Sequence, residues 1–232
     1  MQKKENLDQI KETMESIAHQ WRQPLSQINS TVSAIDKILY DKNIQDPLIE
    51  EKLQEIEALT KYMSNTIDDF KNHFMQNSKK TTINLTTLIK DAISTLQASF
   101  TENKITLHLK IEGDYEYDCY ADQLKQIVIV LLNNAKDALL ERNTFHAKIE
   151  VEIRYQNDKY IITIADNAGG ITKSVMTKIF EPYYTTKHNS IGTGIGLYMA
   201  RKIIVERHNG SLSVKNAGDG TEFSITLSEV DR

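Results

Sequence analysis

Lys159-Tyr-Ile-Ile-Thr-Ile-Ala-Asp166-Asn-Ala-Gly-Gly170 reads as a strand that stops on a carboxylate and two glycines. Residues 159–165 alternate with the period of a half-buried strand, and Asp166 stands where the alternation ends. Two consecutive glycines let the backbone turn sharply and pass close to a flat ring. The carboxylate beside them accepts a hydrogen bond from an exocyclic amine. A plain strand-ending turn uses the same residue types. The surroundings must decide between the two.

Upstream, residues 147–155 alternate strongly, and Gln156-Asn-Asp158 marks a hairpin between the two strands. Residues 84–100 read as a helix, 104–111 as a strand and 115–121 as a short strand. Asp122 is placed to N-cap a helix reaching about Arg142. Downstream comes a glycine-rich irregular stretch, then a helix over 196–207. Asn209-Gly210 turns into two last strands at 211–216 and 221–227. Helices and strands in mixed order indicate an α/β sandwich.

The first 112 residues are built differently, because all nine glycines lie at or after Gly113. From Leu7 to Leu39 apolar residues recur in steps of three and four, which predicts one long amphipathic helix seeking a partner. Residues 41–47 are a polar break, and Pro47 suits the first turn of a second helix. Its stripe runs from Ile49 to Phe74. A two-helix hairpin is too thin to be stable alone, so a second copy completing a four-helix bundle is expected. The expected fold class is therefore α+β. A hairpin over residues 1–78 forms a dimeric bundle, and an α/β sandwich occupies 79–232.

Composition narrows the function classes. The 232 residues are 26% charged and 40% hydrophobic, a globular balance. A net charge of −4 argues against a nucleic-acid coat and a basic membrane-surface helix. Cys119 is the single cysteine and forms no intrachain disulfide. The longest apolar run, Ile127 to Leu132, is far short of the ~20 residues that cross a bilayer. Met1-Gln-Lys-Lys-Glu begins no signal peptide. A cytoplasmic chain with no membrane segment is the expectation.

Three more stretches carry chemistry. At ~100° per residue, His19 falls about 200° round from Ile17, away from the apolar seam. Glu15 lies one turn before it and Gln23 one turn after. Pro24 frees the carbonyl of Gln20 and is expected to bend the helix just past the histidine. In Leu131-Leu-Asn-Asn-Ala-Lys-Asp-Ala138, Asn134 shares a stripe with Ile127, Leu131 and Ala138. It is there either a satisfied core amide or an oxygen ligand for a hard cation such as Mg²⁺. Gly192-Thr-Gly194-Ile-Gly196-Leu197 opens a helix with flexible N–H groups suited to phosphate, and its spacing is not that of a dinucleotide fingerprint. Between the two glycine clusters, Phe180-Glu-Pro-Tyr-Tyr-Thr-Thr186-Lys187 sits in a loop long enough to be a lid.

Taken in this order, the motifs resemble those of a bacterial sensor histidine kinase, over essentially the whole chain. His-Gln-Trp-Arg-Gln-Pro-Leu at His19 resembles the H box, Asn134 the N box, and Asp166 with Gly170 the first glycine box. Phe180 to Pro182 resemble the F box, Gly192, Gly194 and Gly196 the second glycine box, and Gly220-Thr221 a small glycine motif on the last strands. The resemblance implies a phosphotransfer hairpin joined to a Bergerat-type ATP-binding domain. Asp166 would meet the adenine amine and Asn134 would ligate Mg²⁺ at the phosphates. The nucleotide set would be Asn134, Asp166, Gly169, Gly170, Thr186, Lys187, Gly192, Gly194, Gly196, Leu197 and Thr221. His19 would take the γ-phosphate, assisted by Gln20 or Glu15, and pass it to an aspartate on a response-regulator receiver domain.

Four positions depart from the family pattern. Gln20 stands where an acidic residue usually follows the histidine, and an amide orients an imidazole but takes no proton at pH 7. Gln23 replaces the Thr or Asn tied to phosphatase activity. Val130 replaces the first N-box asparagine, and Ala168 the middle glycine of the first glycine box. Related hydrolases carry a water-activating glutamate at the position of Val130, so hydrolysis is disfavoured. A serine-kinase relative would not need the His19 hairpin. A nucleotide-binding dimeric pseudokinase scaffold is the second reading, resting on Gln20 and Val130.

Overall fold

The computed structural model describes residues 2–75, 79–186 and 194–228, with side chains for 22–60, 63–64, 79–186 and 194–228. It divides near residue 78 into two compact units. The first is a pair of helices, α1 (Gln2–Asp41) and α2 (Pro47–Met75). Helix α1 runs on through Pro24, so the expected bend does not interrupt it. Asp46 caps α2, its Oδ1 accepting from the N–H groups of Leu48 at 2.9 Å and Ile49 at 3.4 Å, with Pro47 in the first turn.

Leu25 and Val32, seven residues apart on α1, are buried against α2 along with Thr60. The Thr60 hydroxyl lies 2.5 Å from Asn29 Oδ1 and within reach of the Ile56 and Glu57 carbonyls. One hairpin hides only part of the stripe. Ile28, Ile35, Ile38, Ile49 and Ile56 remain exposed on it.

The second unit contains a five-stranded sheet in the order β2 (Thr106–Ile111), β4 (Lys148–Gln156), β5 (Lys159–Asp166), β7 (Gly220–Ser228), β6 (Ser211–Ala217). Only the β2–β4 pair is parallel. Helices α3 (Leu85–Glu102), α4 (Ala121–Glu141) and α6 (Gly196–Arg207) pack on this sheet and on one another. Alternation sends Ile149, Val151, Ile153, Ile162, Ile164, Phe223, Ile225 and Leu227 into the core they share. The intervening β4 residues carry charge, with Lys148 on Glu150 at 2.9 Å and Arg154 on Glu152 at 3.2 Å. Such partly exposed pairs contribute little stability.

Three elements differ from the sequence expectation. A short strand β1 (Thr81–Asn84) pairs with β3 (Glu116–Cys119) in a separate two-stranded sheet. Thr-Thr-Ile-Asn is too short and polar to show a period. Helix α4 begins at Ala121 after Tyr120, which makes no side-chain cap, so Asp122 sits inside the first turn and favours the helix dipole instead of capping. A one-turn-and-a-half helix α5 (Lys173–Lys178) lies in the stretch expected to be irregular, started by Thr172 Oγ1 accepting from the Val175 N–H at 3.3 Å. The β4–β5 hairpin is as expected. Asn157 and Asp158 both take left-handed φ, 52° and 58°, which suits a two-residue turn matching the strand twist.

At the end of α6, His208 is buried beneath the Tyr120 ring, with centroids 5.9 Å apart. Neither ring nitrogen has a hydrogen-bond partner among the described residues. Burial, helped by the charges of Lys80 and Arg207, pushes the imidazole down to about 4. The folded state thus excludes the charged ring, while the unfolded chain protonates it near 6.5. Its contribution is fully present above pH 6.5 and is lost as pH falls toward 4, by up to about 3 kcal/mol. Urea midpoints of the wild type should fall over that window, and His208→Leu should flatten the fall. Parallel pH curves for the two proteins would refute this.

Candidate functional site

Asp166 closes β5 at 8% exposure. Its Oδ1 accepts from the N–H groups of Ala168 at 2.8 Å and Thr221 at 3.3 Å. No hydrogen bond among the described residues uses Oδ2. Burial pushes the carboxyl above its ordinary value, against the pull of the two N–H groups and the Arg142 guanidinium. Thr221 is buried beside it through its backbone, so this expected site residue contributes an N–H.

The backbone around Asp166 leaves room for nothing but glycine. A Cβ at Gly220 would lie 1.7 Å from the Asp166 carbonyl oxygen. Gly169 and Gly170 follow in the left-handed region at φ +83° and +73°, where a side chain is strained. The turn they form is held from several sides. The Gly169 N–H donates to the Asp219 carbonyl at 2.6 Å. Asn167 accepts from the Lys148 N–H at 2.8 Å and donates to the His146 carbonyl at 3.0 Å. Asn216 grips Ile171 at both its N–H, 2.9 Å, and its carbonyl, 2.8 Å. Arg142 Nη2 donates to the Gly170 carbonyl at 2.7 Å.

Sequence reasoning missed Arg142, Asn167 and Asn216. Asn167 adjoins a recognised carboxylate, but its partners at the head of β4 exist only in the fold. Arg142 and Asn216 are 28 and 45 residues from the backbone groups they hold, and nothing local marks them.

Asn134 lies on α4 half-buried, as does Asn133. The stripe position suggested a fully buried amide. The buried face actually runs through Leu124, Ile127, Val128, Leu131, Ala135 and Leu139, and Asn134 sits at its margin. An amide there reaches solvent and can offer an oxygen outward. Val130, one turn earlier, packs toward α6, with its Cγ1 3.4 Å from the place of a Cβ on Gly196.

Gly194 has φ +64°, and a Cβ there would lie 2.4 Å from the Tyr183 carbonyl carbon. This close approach ties the second glycine cluster to the Phe180–Pro182 segment. Phe180 is anchored in turn by Phe223, centroids 6.4 Å apart, and by the Arg201 guanidinium 5.0 Å from its ring centre. Gly196 and the half-buried Leu197 start α6, whose N-cap Ile195 makes no side-chain cap. The first N–H groups of the helix are therefore not taken by a cap. Thr186 is exposed and is not joined to Asp166 or Asn134 by any described contact. Lys187 and Gly192 lie outside the described residues. Glu15, His19 and Gln20 belong to α1, but their side chains lie outside the described ones.

These features fit an adenine nucleotide. One oxygen of a buried carboxylate is available for an amine, glycines leave a slot for a ring, and an uncapped helix start suits phosphate. They also fit a metal held mainly by phosphate and water. No group of three His, Cys, Asp or Glu capable of holding an ion occurs among the described residues, and Mg²⁺ needs only one or two protein ligands.

Residues 119–231 match the family of histidine kinase-, DNA gyrase B- and HSP90-like ATPases. The C-terminal unit resembles the ATP-binding catalytic domain of sensor histidine kinases. Its Bergerat-type α/β fold is shared with the catalytic domain of histidine kinase ThkA, which aligns over 65% of this chain and 96% of its own with a TM-score of 0.59 and 26% identity. ThkA in complex with the response regulator protein TrrA matches 98% of this chain and 64% of its own, with a TM-score of 0.60 at 20% identity, a likeness of fold. Sporulation kinase B of Bacillus subtilis is 30% identical over 230 residues, 96% of this chain and 50% of its own. The chain spans about half or less of the length of the curated relatives it matches. No helix among the described residues is long and apolar enough to cross a membrane.

Proposed function

We propose that this chain is the catalytic portion of an ATP-dependent, autophosphorylating protein-histidine kinase of two-component signalling. The observation that carries the reading is Asp166, a buried carboxylate with one oxygen held by two backbone N–H groups and the other available beside a glycine turn. Asp166, Gly169 and Gly170 bind adenine, and Thr221 fixes the carboxylate. Gly194, Gly196 and Leu197 at the start of α6, with Thr186, Lys187 and Gly192, receive the phosphates. Asn134 holds Mg²⁺, which would neutralise phosphate charge.

A neutral nitrogen of His19 attacks the γ-phosphorus. An N–P bond forms, and the bond to the β-phosphate oxygen breaks with its electrons leaving on ADP. Gln20 accepts from the other ring N–H and fixes the tautomer, while Glu15, one turn back, is the available base. The rate then comes from positioning and charge stabilisation, as in other phosphoryl transfers. The phosphoryl group passes onward to an aspartate of a response-regulator receiver domain in the cytoplasm, a partner of the kind recorded with ThkA. Incubation with γ-labelled ATP and Mg²⁺ should yield acid-labile, alkali-stable label on the chain. Acid-stable label or none would overturn the reading.

The helical unit forms a homodimer, which the exposed isoleucines of its stripe support. Ile28→Asp, on the exposed part of the stripe, should dissociate it, because an unpaired charge in a seam is costly. Light scattering that shows a wild-type monomer at micromolar concentration would reject the dimer.

A further inference from the structure

Arg142 sits at the C-cap of α4, eight residues after Asn134 on the same helix. Its Nη2 reaches the Gly170 carbonyl at 2.7 Å, and its Nη1 lies 2.6 Å from the place a Cβ on Gly169 would occupy. The guanidinium thus points Nη1 at the bare Cα of one left-handed glycine while Nη2 holds the carbonyl of the next. We propose that Arg142 is a positioning residue for nucleotide recognition, acting through the Gly169–Gly170 turn and through Asp166. The inference rests on the nucleotide reading of Asp166 given above.

Two consequences of this placement reinforce each other. A planar fork fixes a turn more firmly than a flexible ammonium does, so the slot keeps its shape before any base enters it. Arg142 is also the one charged side chain among the described residues that acts on the Asp166 carboxyl. Titratable groups at the near ends of the bordering elements include Asp137 and Glu141 on α4, His146 and Lys148 at β4, and Lys215, Asp219 and Glu222 at the β6–β7 hairpin. Lys148 is paired with Glu150, and Glu222 with Lys215. Burial favours the protonated carboxyl and Arg142 opposes that. The ionised form is the stronger acceptor for an amine. Arg142 therefore extends nucleotide binding toward lower pH.

The test is calorimetric binding of Mg-ADP to the full chain across pH 5–8, in Arg142→Lys and Arg142→Gln. Glutamine can still donate to the Gly170 carbonyl but carries no charge. Arg142→Gln should weaken binding about tenfold near neutral pH and move the midpoint of its acid loss to higher pH. Arg142→Lys should keep the wild-type midpoint. A wild-type midpoint in Arg142→Gln, or equal weakening of both variants at every pH, would overturn the proposal and leave Arg142 a packing residue. Asp166→Asn separates the two levels. If it binds Mg-ADP like the wild type, the nucleotide reading of Asp166 itself fails. If it binds weakly while Arg142→Gln is unaffected, only the role of Arg142 fails.

Discussion

His19→Ala is expected to abolish acid-labile phosphorylation while leaving Mg-ATP binding and the helical dimer in place. Loss of the acceptor nitrogen removes the reaction itself, so no residual rate remains. The ~200° offset of His19 from the seam argues that alanine there costs little packing. Of the other five histidines, His73 and His188 have side chains outside the described ones, and the remaining three are placed away from the H-box context. His208 is buried without a partner, His146 stacks on Phe145 with centroids 4.2 Å apart, and His108 lies on β2 at the far side of the sheet from β6. Their replacement should leave the label. Acid-labile phosphate on His19→Ala would end the kinase reading of the hairpin. Gln20→Glu and Gln20→Leu grade the neighbour's role. General-base help is worth 10²–10⁴-fold, so a large gain in Gln20→Glu would show that the wild-type site lacks a base.

Asp166→Asn should weaken nucleotide binding by about 100-fold with little loss of stability. The amide oxygen still takes the Ala168 and Thr221 N–H groups, so the buried donors keep their acceptor. The amide nitrogen then replaces Oδ2 and meets the adenine amine donor to donor. An unmet hydrogen bond to a charged group costs about 1.5–3 kcal/mol, to which that repulsion adds. Asp166→Ala is a poorer test, because it strands two buried N–H groups as well. Calorimetry with a cooperative melt as control measures both effects, and unchanged affinity in a folded Asp166→Asn would remove Asp166 from the site.

Periodicity carried most of the fold. Strands β4, β5 and β7 alternate so strongly that their positions followed from residue order, and the Asn157-Asp158 turn was visible in the same way. β1 escaped because four residues, three of them polar, show no period, and it exists by pairing with β3, 35 residues away. Asp122 was mistaken for a cap because the residue type suits that place, whereas the N-cap position falls two residues earlier, at Tyr120. At the site, Asp166, Gly169, Gly170 and the start of α6 could be read locally since their chemistry is local. Arg142, Asn167 and Asn216 could not, because each acts on backbone that only folding brings near. Asn134 was found by motif but misjudged in burial, since one position round a helix separates core from margin.

The approach of β7 to the end of β5 at Gly220 also bears on how this sequence can drift. With 1.7 Å between the would-be Cβ and a main-chain oxygen, no rotamer change can relieve the overlap, and every missense codon at 220 meets the same wall. Gly218, two residues away, has nothing within 4 Å, and its φ of +55° is one that asparagine or aspartate tolerates. A lineage can therefore wander at 218 while 220 stays shut. In a saturation library of this hairpin, the two glycines would read as opposites although both stand in one short turn.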